Sequence, residues 1–132
     1  MKKVYLAIKF HKDFSNRKLI EGISAAIEKA GYQVTVFVRD FEKWGEVKFT
    51  PRQMMALAFE STRKADLLVI EFSEKGVGLG IEAGYASAIG KPIVIIAKRG
   101  SDISSTIQGV TERITLYDKP DDLTKSFESH DS

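Results

Sequence analysis

The chain has 132 residues, 43% of them hydrophobic, which is the length of one ordinary domain and enough to bury a core. Its 20 basic and 18 acidic residues give a net charge of +2, which does not indicate a nucleic-acid or membrane-surface partner. There is no cysteine, which excludes disulfides and thiolate chemistry, and the two histidines, His11 and His130, make a histidine metal site improbable. No residue cluster implies a metal or an organic cofactor. The first apolar run is too short for a signal peptide or a membrane span, so we expect a soluble cytoplasmic protein.

The first half of the chain alternates strand and helix patterns. Residues 4–8 form an apolar run that predicts a central strand, and a basic loop follows it. A helix is predicted from Ser15 or Asn16, where apolar residues begin to recur every 3.6 positions, as far as Gly31. Residues 33–38 are predicted as the second strand.

A long connection over residues 39–48 leads to the next predicted helix. Thr50 and Pro51 are typical of a helix start, as N-cap and first helical residue, and the pattern runs to residue 64. Residues 67–72, interrupted only by Glu71, and residues 93–97 are apolar runs of the kind that parallel strands buried on both faces show. Between them we predict a glycine-rich turn and a short helix of small residues.

The remaining segments are polar and short. Residues 101–109 predict at most one helical turn, and residues 113–117 predict an edge strand. Residues 118–132 are predicted to hold one short helix near residues 123–127 before the chain frays. The alternation predicts an α/β fold: a single three-layer, doubly wound domain over residues 1–132, with a parallel sheet of about five strands in a flavodoxin-like or Rossmann-like order.

The crevice of such a sheet lies at the carboxyl ends of its strands, where the glycine-rich turn is predicted. Gly76, Gly78 and Gly80 are expected to loosen this turn, and Glu82 is expected in the first helical turn with its carboxylate in the crevice. The glycines and Glu82 also have a purely structural explanation. The glycines lack the dinucleotide and P-loop spacings and would serve a flexible turn, and the helix dipole alone favours a carboxylate there by about 0.3–1 kcal/mol.

Residues 78–86 read G-L-G-I-E-A-G-Y-A, which closely resembles the G-x-G-x-E-x-G-x-A motif of the nucleoside 2-deoxyribosyltransferase family. An Ala-Asp pair precedes the strand before this motif, and Gly-Lys-Pro-Ile follows the motif, as in that family. The family includes nucleoside 5'-monophosphate N-glycosidases, and the likeness covers most of the chain from Val4 to about Gly109.

The resemblance implies roles for particular residues. Glu82 corresponds to the nucleophile that attacks C1' of the sugar, and Gly78 and Gly80 would let backbone N–H groups approach the sugar or phosphate. Ser104 matches a serine that reaches the 5'-phosphate in a neighbouring subunit, which implies a homodimer. Lys9 and His11 follow the first strand, where the nucleotide-cleaving branch binds phosphate, although a solvated basic loop explains them equally well.

Two positions depart from the family pattern. Ala58 stands where members usually carry an aspartate, and Ile8 replaces a glycine that opens the base pocket. Glu71, at the end of the third strand, and Asp40, at the end of the second, are the candidates for another carboxylate. Tyr5 is expected to bound the crevice, with core packing as its alternative.

We therefore carry three hypotheses. The first is an enzyme that cleaves or transfers at the N-glycosidic bond of a nucleoside 5'-monophosphate or nucleoside, a small-molecule substrate bound by a homodimer without nucleic acid or membrane. The second is a nucleotide-binding module of the same fold with weak or no catalysis, which Ala58 and Ile8 favour. The third is an unrelated flavodoxin-like domain. The residues leave open which base and sugar are bound, and whether water or a second base is the acceptor.

Overall fold

The structure is a computed structural model that describes residues 1–129, and its centre is a parallel sheet. The five strands of this described part run in the order β2-β1-β3-β4-β5, with every neighbouring pair parallel. This confirms the predicted α/β fold with five parallel strands in the flavodoxin-like order, whose switch point lies between β1 and β3. The strands are β1 (Lys3–Ala7), β2 (Gln33–Val36), β3 (Leu67–Glu71), β4 (Ile93–Lys98) and β5 (Ile114–Tyr117).

Helices cover both faces of this sheet. Side chains alternate along each strand, so Val4 and Leu6 of β1 face one layer while Tyr5 and Ala7 face the other. The first layer contains α1 and α5, and the second contains α2, α3 and α4. The helices are α1 (Arg17–Lys29), α2 (Pro51–Lys64), α3 (Val77–Ala88), α4 (Ser105–Gln108) and α5 (Asp122–Ser129).

The predicted helix boundaries hold where capping residues define them. Thr50 accepts a hydrogen bond from the N–H of Gln53, whose side chain in turn accepts from the N–H of Thr50, so α2 begins with a complete capping box. Gly31 follows α1 with φ of 105°, a left-handed conformation that favours glycine. These local signals are independent of tertiary packing, which is why the sequence predicts them well.

The start of α3 differs from the prediction. The helix begins at Val77, so Gly78 and Gly80 lie inside its first turn, and Glu82 lies in the second turn instead of the first. Each glycine inside a helix costs up to about 1 kcal/mol relative to alanine. Leu79 and Ala83 are nonetheless buried against the sheet on the same face of α3, and this packing favours helix over the loose turn that we predicted.

The second strand is shorter than predicted. It ends at Val36, and a π-helical turn, Phe37–Phe41, replaces its last two residues. The N–H of Val36 donates to the Asp40 carboxylate at 2.8 Å, and Arg39 binds the same carboxylate. The Asp40 side chain therefore closes this turn on the strand end, which periodicity in the sequence cannot indicate.

The last helix is packed and not frayed. Leu123 and Phe127 of α5 are buried beside α1, and the Phe127 ring contacts Tyr32 edge to face at 5.8 Å. The short helix predicted near residues 123–127 is therefore confirmed as Asp122–Ser129, and its apolar side chains complete the core of the first layer. The rest of the predicted tail, residues 130–132, lies outside the described residues. No helix of the described chain is long and apolar enough to cross a membrane.

Candidate active site

A cavity of about 210 Å³ opens at the carboxyl ends of β1 and β2, under α2 and the beginning of α3. Three ionisable side chains line it: Tyr5 from β1, Glu82 from α3, and Glu42 from the segment after the π-helical turn. The other lining residues are uncharged, namely Leu6, Ala7, Ile8, Phe10, Val36, Phe37, Val38, Met54, Met55, Ala58 and Gly78.

Glu82 is a buried carboxylate that forms no ion pair within the described part of the chain. Its residue is 8% exposed, and its Oε2 atom has no hydrogen-bond partner among the described residues. Burial raises the pKa of Glu82 to about 7, although the Tyr5 hydroxyl partly offsets this by interacting with the carboxylate. Burying an oxygen without a hydrogen-bond partner destabilises the folded protein. The Glu82 carboxylate is therefore not explained by the stability of the fold. Such groups concentrate at functional sites.

Tyr5 is the residue that interacts with the Glu82 carboxylate. It lies on the face of β1 that packs against α3, and only 2% of its surface is exposed. Burial raises the pKa of its phenol far above the usual range, and the negative charge of Glu82 raises it further. The phenol therefore keeps its proton, and its interaction with the carboxylate lowers the pKa of Glu82. Tyr5 belongs both to the core and to the wall of the cavity, so the two alternatives for it are compatible.

Glu42 was not among the sequence-based candidates. Its pKa is raised mainly by burial, which the positive charge of Lys48 partly opposes, and its charge in turn raises the pKa of Tyr5. The signal pointing to this segment was its place after the second strand, at the carboxyl edge of the sheet. The sequence favours Asp40 instead, but the carboxylate of Asp40 is occupied by Val36 and Arg39.

Lys9, His11 and Glu71 line a second cavity of about 420 Å³, together with Ser73, Glu74 and Lys98. The two cavities share Ile8. The His11 ring contacts the Glu74 carboxylate at 2.6 Å. The structure therefore does not bring Lys9 or His11 into the cavity that contains Glu82.

Glu71 lies on the other face of the sheet from Glu82. Residues two apart in a strand point to the same face, so Glu71 shares the face of Val69, which packs in the layer of α1 and α5. Its carboxylate accepts the N–H and the hydroxyl of Ser73, both at 2.7 Å, and the hydroxyl of Tyr117. Glu71 is therefore satisfied where it lies, and it does not supply a second carboxylate beside Glu82.

The predicted glycines and Ser104 have separate positions. Gly78 lines the cavity of Glu82, whereas a Cβ added at Gly76 would lie 3.7 Å from the Leu79 side chain. A Cβ added at Gly80 would meet no atom within 4 Å. Ser104 is the N-cap of α4, where its hydroxyl accepts the N–H of Thr106 at 3.2 Å.

The cavity combines apolar walls with a small number of ionisable groups. Two carboxyl groups and one phenol stand among apolar walls, where electrostatic interactions are stronger than in water. Within residues 1–129 no group of three or more His, Cys, Asp or Glu side chains is arranged to hold a metal ion.

Comparison with known proteins places the chain in a family. No protein-family model matches it. The chain is 32% identical over 133 residues to "Putative 2'-deoxynucleoside 5'-phosphate N-hydrolase 1" of Thermofilum pendens, and the match covers 96% of this chain and 93% of that protein. The chain therefore belongs to the nucleoside 2-deoxyribosyltransferase family, as the motif around Glu82 predicted. Within it, this relative supports the nucleoside 5'-monophosphate N-glycosidase branch.

Solved structures share the fold at lower identity. A CMP N-glycosidase of Clostridium botulinum, BcmB, is 22% identical with a TM-score of 0.73, covering 98% of this chain and 99% of that one. A conserved protein of Enterococcus faecalis V583 is 18% identical with a TM-score of 0.72, over 98% and 99% of the two chains. A 2-deoxyribosyltransferase of Bacillus psychrosaccharolyticus is 19% identical with a TM-score of 0.69, over 92% and 90%.

Proposed function

We propose that the protein cleaves or transfers at the N-glycosidic bond of a nucleoside 5'-monophosphate, with Glu82 as the nucleophile. The observation that carries this proposal is the buried Glu82 carboxylate, whose Oε2 lacks a partner in the described chain and which lines a cavity at the carboxyl edge of the sheet. The family of the chain and the name of its relative from Thermofilum pendens support the same chemistry.

The geometry suits this reaction. As the bond from C1' to the base breaks, positive charge develops on the sugar, and a carboxylate in an apolar cavity stabilises it and bonds to C1'. Water or a second base then attacks C1' and releases Glu82. A pKa of about 7 leaves an appreciable fraction of Glu82 ionised at neutral pH. The Tyr5 hydroxyl lowers the pKa of Glu82 and so favours the ionised form of the carboxylate.

A phosphate subsite at the start of α3 is part of the proposal. Gly78 lines the cavity in the first helical turn, where backbone N–H groups and the helix dipole favour an anion. We retain Gly76 and Gly80 in this subsite, and Ser104 as a donor from the partner subunit of a homodimer. Cytoplasmic location likewise remains a proposal.

The basic residues of the second cavity are retained as a further proposal. Lys9 and His11 lie in a cavity that shares Ile8 with the cavity of Glu82. This is an alternative to the phosphate subsite at the start of α3: the phosphate of a ligand that passes Ile8 would meet Lys9 and His11, with Glu71 beyond. In this alternative the two basic residues would bind the end of the ligand away from the reacting carbon.

The second candidate function is a nucleotide-binding module with weak catalysis. Ala58 favours it, because this residue lines the cavity where the family usually carries an aspartate, and it supplies no proton donor. Ile8 also favours it by narrowing the same cavity.

One experiment separates the two functions. Purified protein is incubated with each ribo- and deoxyribonucleoside 5'-monophosphate, with and without a second free base, and the products are resolved by chromatography. Release of a base, or exchange for the added base, that is lost in Glu82→Gln supports the enzyme. Thermal stabilisation by a nucleotide with no product supports the binding module. Glu46→Gln is the matched control, since Glu46 is exposed and lies outside the Glu82 cavity.

A further inference from the structure

The Glu82 cavity contains a second carboxyl group that the family motif does not include. Glu42 lies in the connection between β2 and α2 and lines the cavity. Among the described residues, the ionisable side chains that line this cavity are those of Glu42, Tyr5 and Glu82. Most glycoside hydrolases use two carboxyl groups in different protonation states, one toward the sugar and one toward the leaving group, and the same division of roles suits an N-glycosidic bond. Glu42 is therefore the available partner for Glu82.

The backbone holds Glu42 at this place through several hydrogen bonds. Its N–H donates to the carbonyl of Phe37 at 3.1 Å, and its carbonyl accepts the N–H groups of Gly45 at 3.0 Å and Val47 at 2.9 Å. The next two residues, Lys43 and Trp44, have φ of 49° and 58°, a left-handed conformation that costs free energy for residues other than glycine. Glu42 thus stands on a strained segment that these backbone hydrogen bonds hold in place.

The charges around Glu42 are few. Tyr5 of β1 and Glu82 of α3 face the same cavity, and α2 contributes the uncharged residues Met54, Met55 and Ala58 to it. Lys48 is the cation that acts on Glu42, and its effect is smaller than that of burial. The result is a carboxyl group whose pKa is raised, so that it keeps its proton to higher pH than an exposed glutamate.

We propose that Glu42 is the general acid and base of the reaction, protonating the departing base and later deprotonating the attacking water. This inference rests on the proposed function. It accounts for Ala58, because a carboxyl group supplied by a different element takes over the proton transfer that the usual aspartate position cannot perform here.

The proposed reaction has two steps, which form and then hydrolyse a covalent bond between Glu82 and the sugar. In the first, the Glu82 carboxylate bonds to C1' while the electron pair of the C1'–N bond leaves with the base, which takes the proton of Glu42. In the second, the oxygen of water bonds to C1', Glu42 takes one proton of that water, and Glu82 departs as a carboxylate. The products are the free base and the sugar 5-phosphate, and Glu42 ends protonated as it began.

The test compares Glu42→Gln, Glu46→Gln and the wild-type protein on two substrates. One is the nucleoside monophosphate that the wild type cleaves fastest, and the other is p-nitrophenyl 2-deoxyribose 5-phosphate or its ribose analogue, whose leaving group departs without a proton. We expect Glu42→Gln to lower kcat/KM for the nucleotide by about 10²- to 10⁴-fold and to remove the alkaline limb of its pH profile. For the p-nitrophenyl substrate, kcat/KM of Glu42→Gln should stay within about threefold of the wild-type value. Added azide should raise kcat of this variant, because azide attacks C1' in place of water and needs no general base.

Two results would overturn the inference. An equal loss on both substrates would mean that Glu42 only binds or positions the ligand, and a nucleotide rate within twofold of wild type would mean that it is not needed. Because the substrate ratio is measured on one preparation, partial misfolding of the variant does not affect it. A wild-type protein that cleaves neither substrate would refute the proposed function itself, which distinguishes the two failures.

Discussion

Replacing Glu82 with glutamine should stabilise the protein above neutral pH and should have little effect in acid. Glutamine has nearly the same shape but no charge, so the substitution removes the cost of burying a carboxylate in an apolar wall. The buried oxygen without a partner in residues 1–129 is the reason to expect a gain where a core substitution normally costs stability.

The magnitude follows from the pKa of Glu82. Burial raises it from 4.5 to about 7. The folded state then holds the proton more tightly than the unfolded state, so the stability of the wild type falls as pH rises from about 4.5 to about 7. At about 1.4 kcal/mol for each pH unit, the loss is about 3 kcal/mol, and it is complete above pH 7. Because Glu82 is only 8% exposed, solvent screening reduces this figure little.

Urea unfolding at a series of pH values between 4 and 8.5 measures the effect. The quantity of interest is the free energy of unfolding of Glu82→Gln minus that of the wild type, since groups common to both proteins cancel in the difference. We expect this difference to be small near pH 4.5 and to grow to about 3 kcal/mol near pH 8. Glu46→Gln should show no such trend. A difference that does not change with pH, or a variant that is less stable at pH 8 than the wild type, would refute the reasoning.

Three further predictions concern other parts of the molecule. Tyr5→Phe removes the hydroxyl that lowers the pKa of Glu82, and a hydrogen bond to a charged group is worth about 1.5–3 kcal/mol. The pH at which kcat/KM falls on the acid side of its profile should therefore rise by about one to two units. An unchanged pH profile would contradict the interaction between Tyr5 and Glu82. Thr50→Ala removes half of the capping box of α2 and should lower the free energy of unfolding by about 1 kcal/mol in urea titration, whereas Thr50→Ser should cost less. Phe127→Ala leaves a cavity beside Tyr32 and should cost about 3–5 kcal/mol in the same assay; a loss below 1 kcal/mol would mean that α5 does not complete the core.

Local chemistry made much of the fold predictable. Residues 67–72 and 93–97 are apolar on both faces because β3 and β4 lie in the middle of a parallel sheet, so their runs needed no tertiary information. Thr50 and Gly31 mark helix ends through backbone hydrogen bonding and conformation, which belong to those residues alone. The motif around Glu82 identified both the family and the most buried carboxylate of the cavity.

The remaining errors come from tertiary context. Gly78 and Gly80 read as turn residues because propensity disfavours them in helices, and the packing of their apolar neighbours decided otherwise. Glu71 ends a strand, but the face on which its side chain lies depends on the alternation within the sheet, which the sequence alone does not specify. Glu42 lay in a connection without periodicity, and its direction is set by a π-helical turn that the sequence does not announce.

Ile8 links the two cavities, since its side chain lines both of them. Trimming this one residue to glycine would widen both spaces at once and join the α3 side of the sheet to the α1 side. A longer ligand could then extend from Glu82 toward Lys9 and Lys98. A single branched side chain directly after β1 therefore borders both cavities, and substitutions there would test whether it limits the size of the ligand.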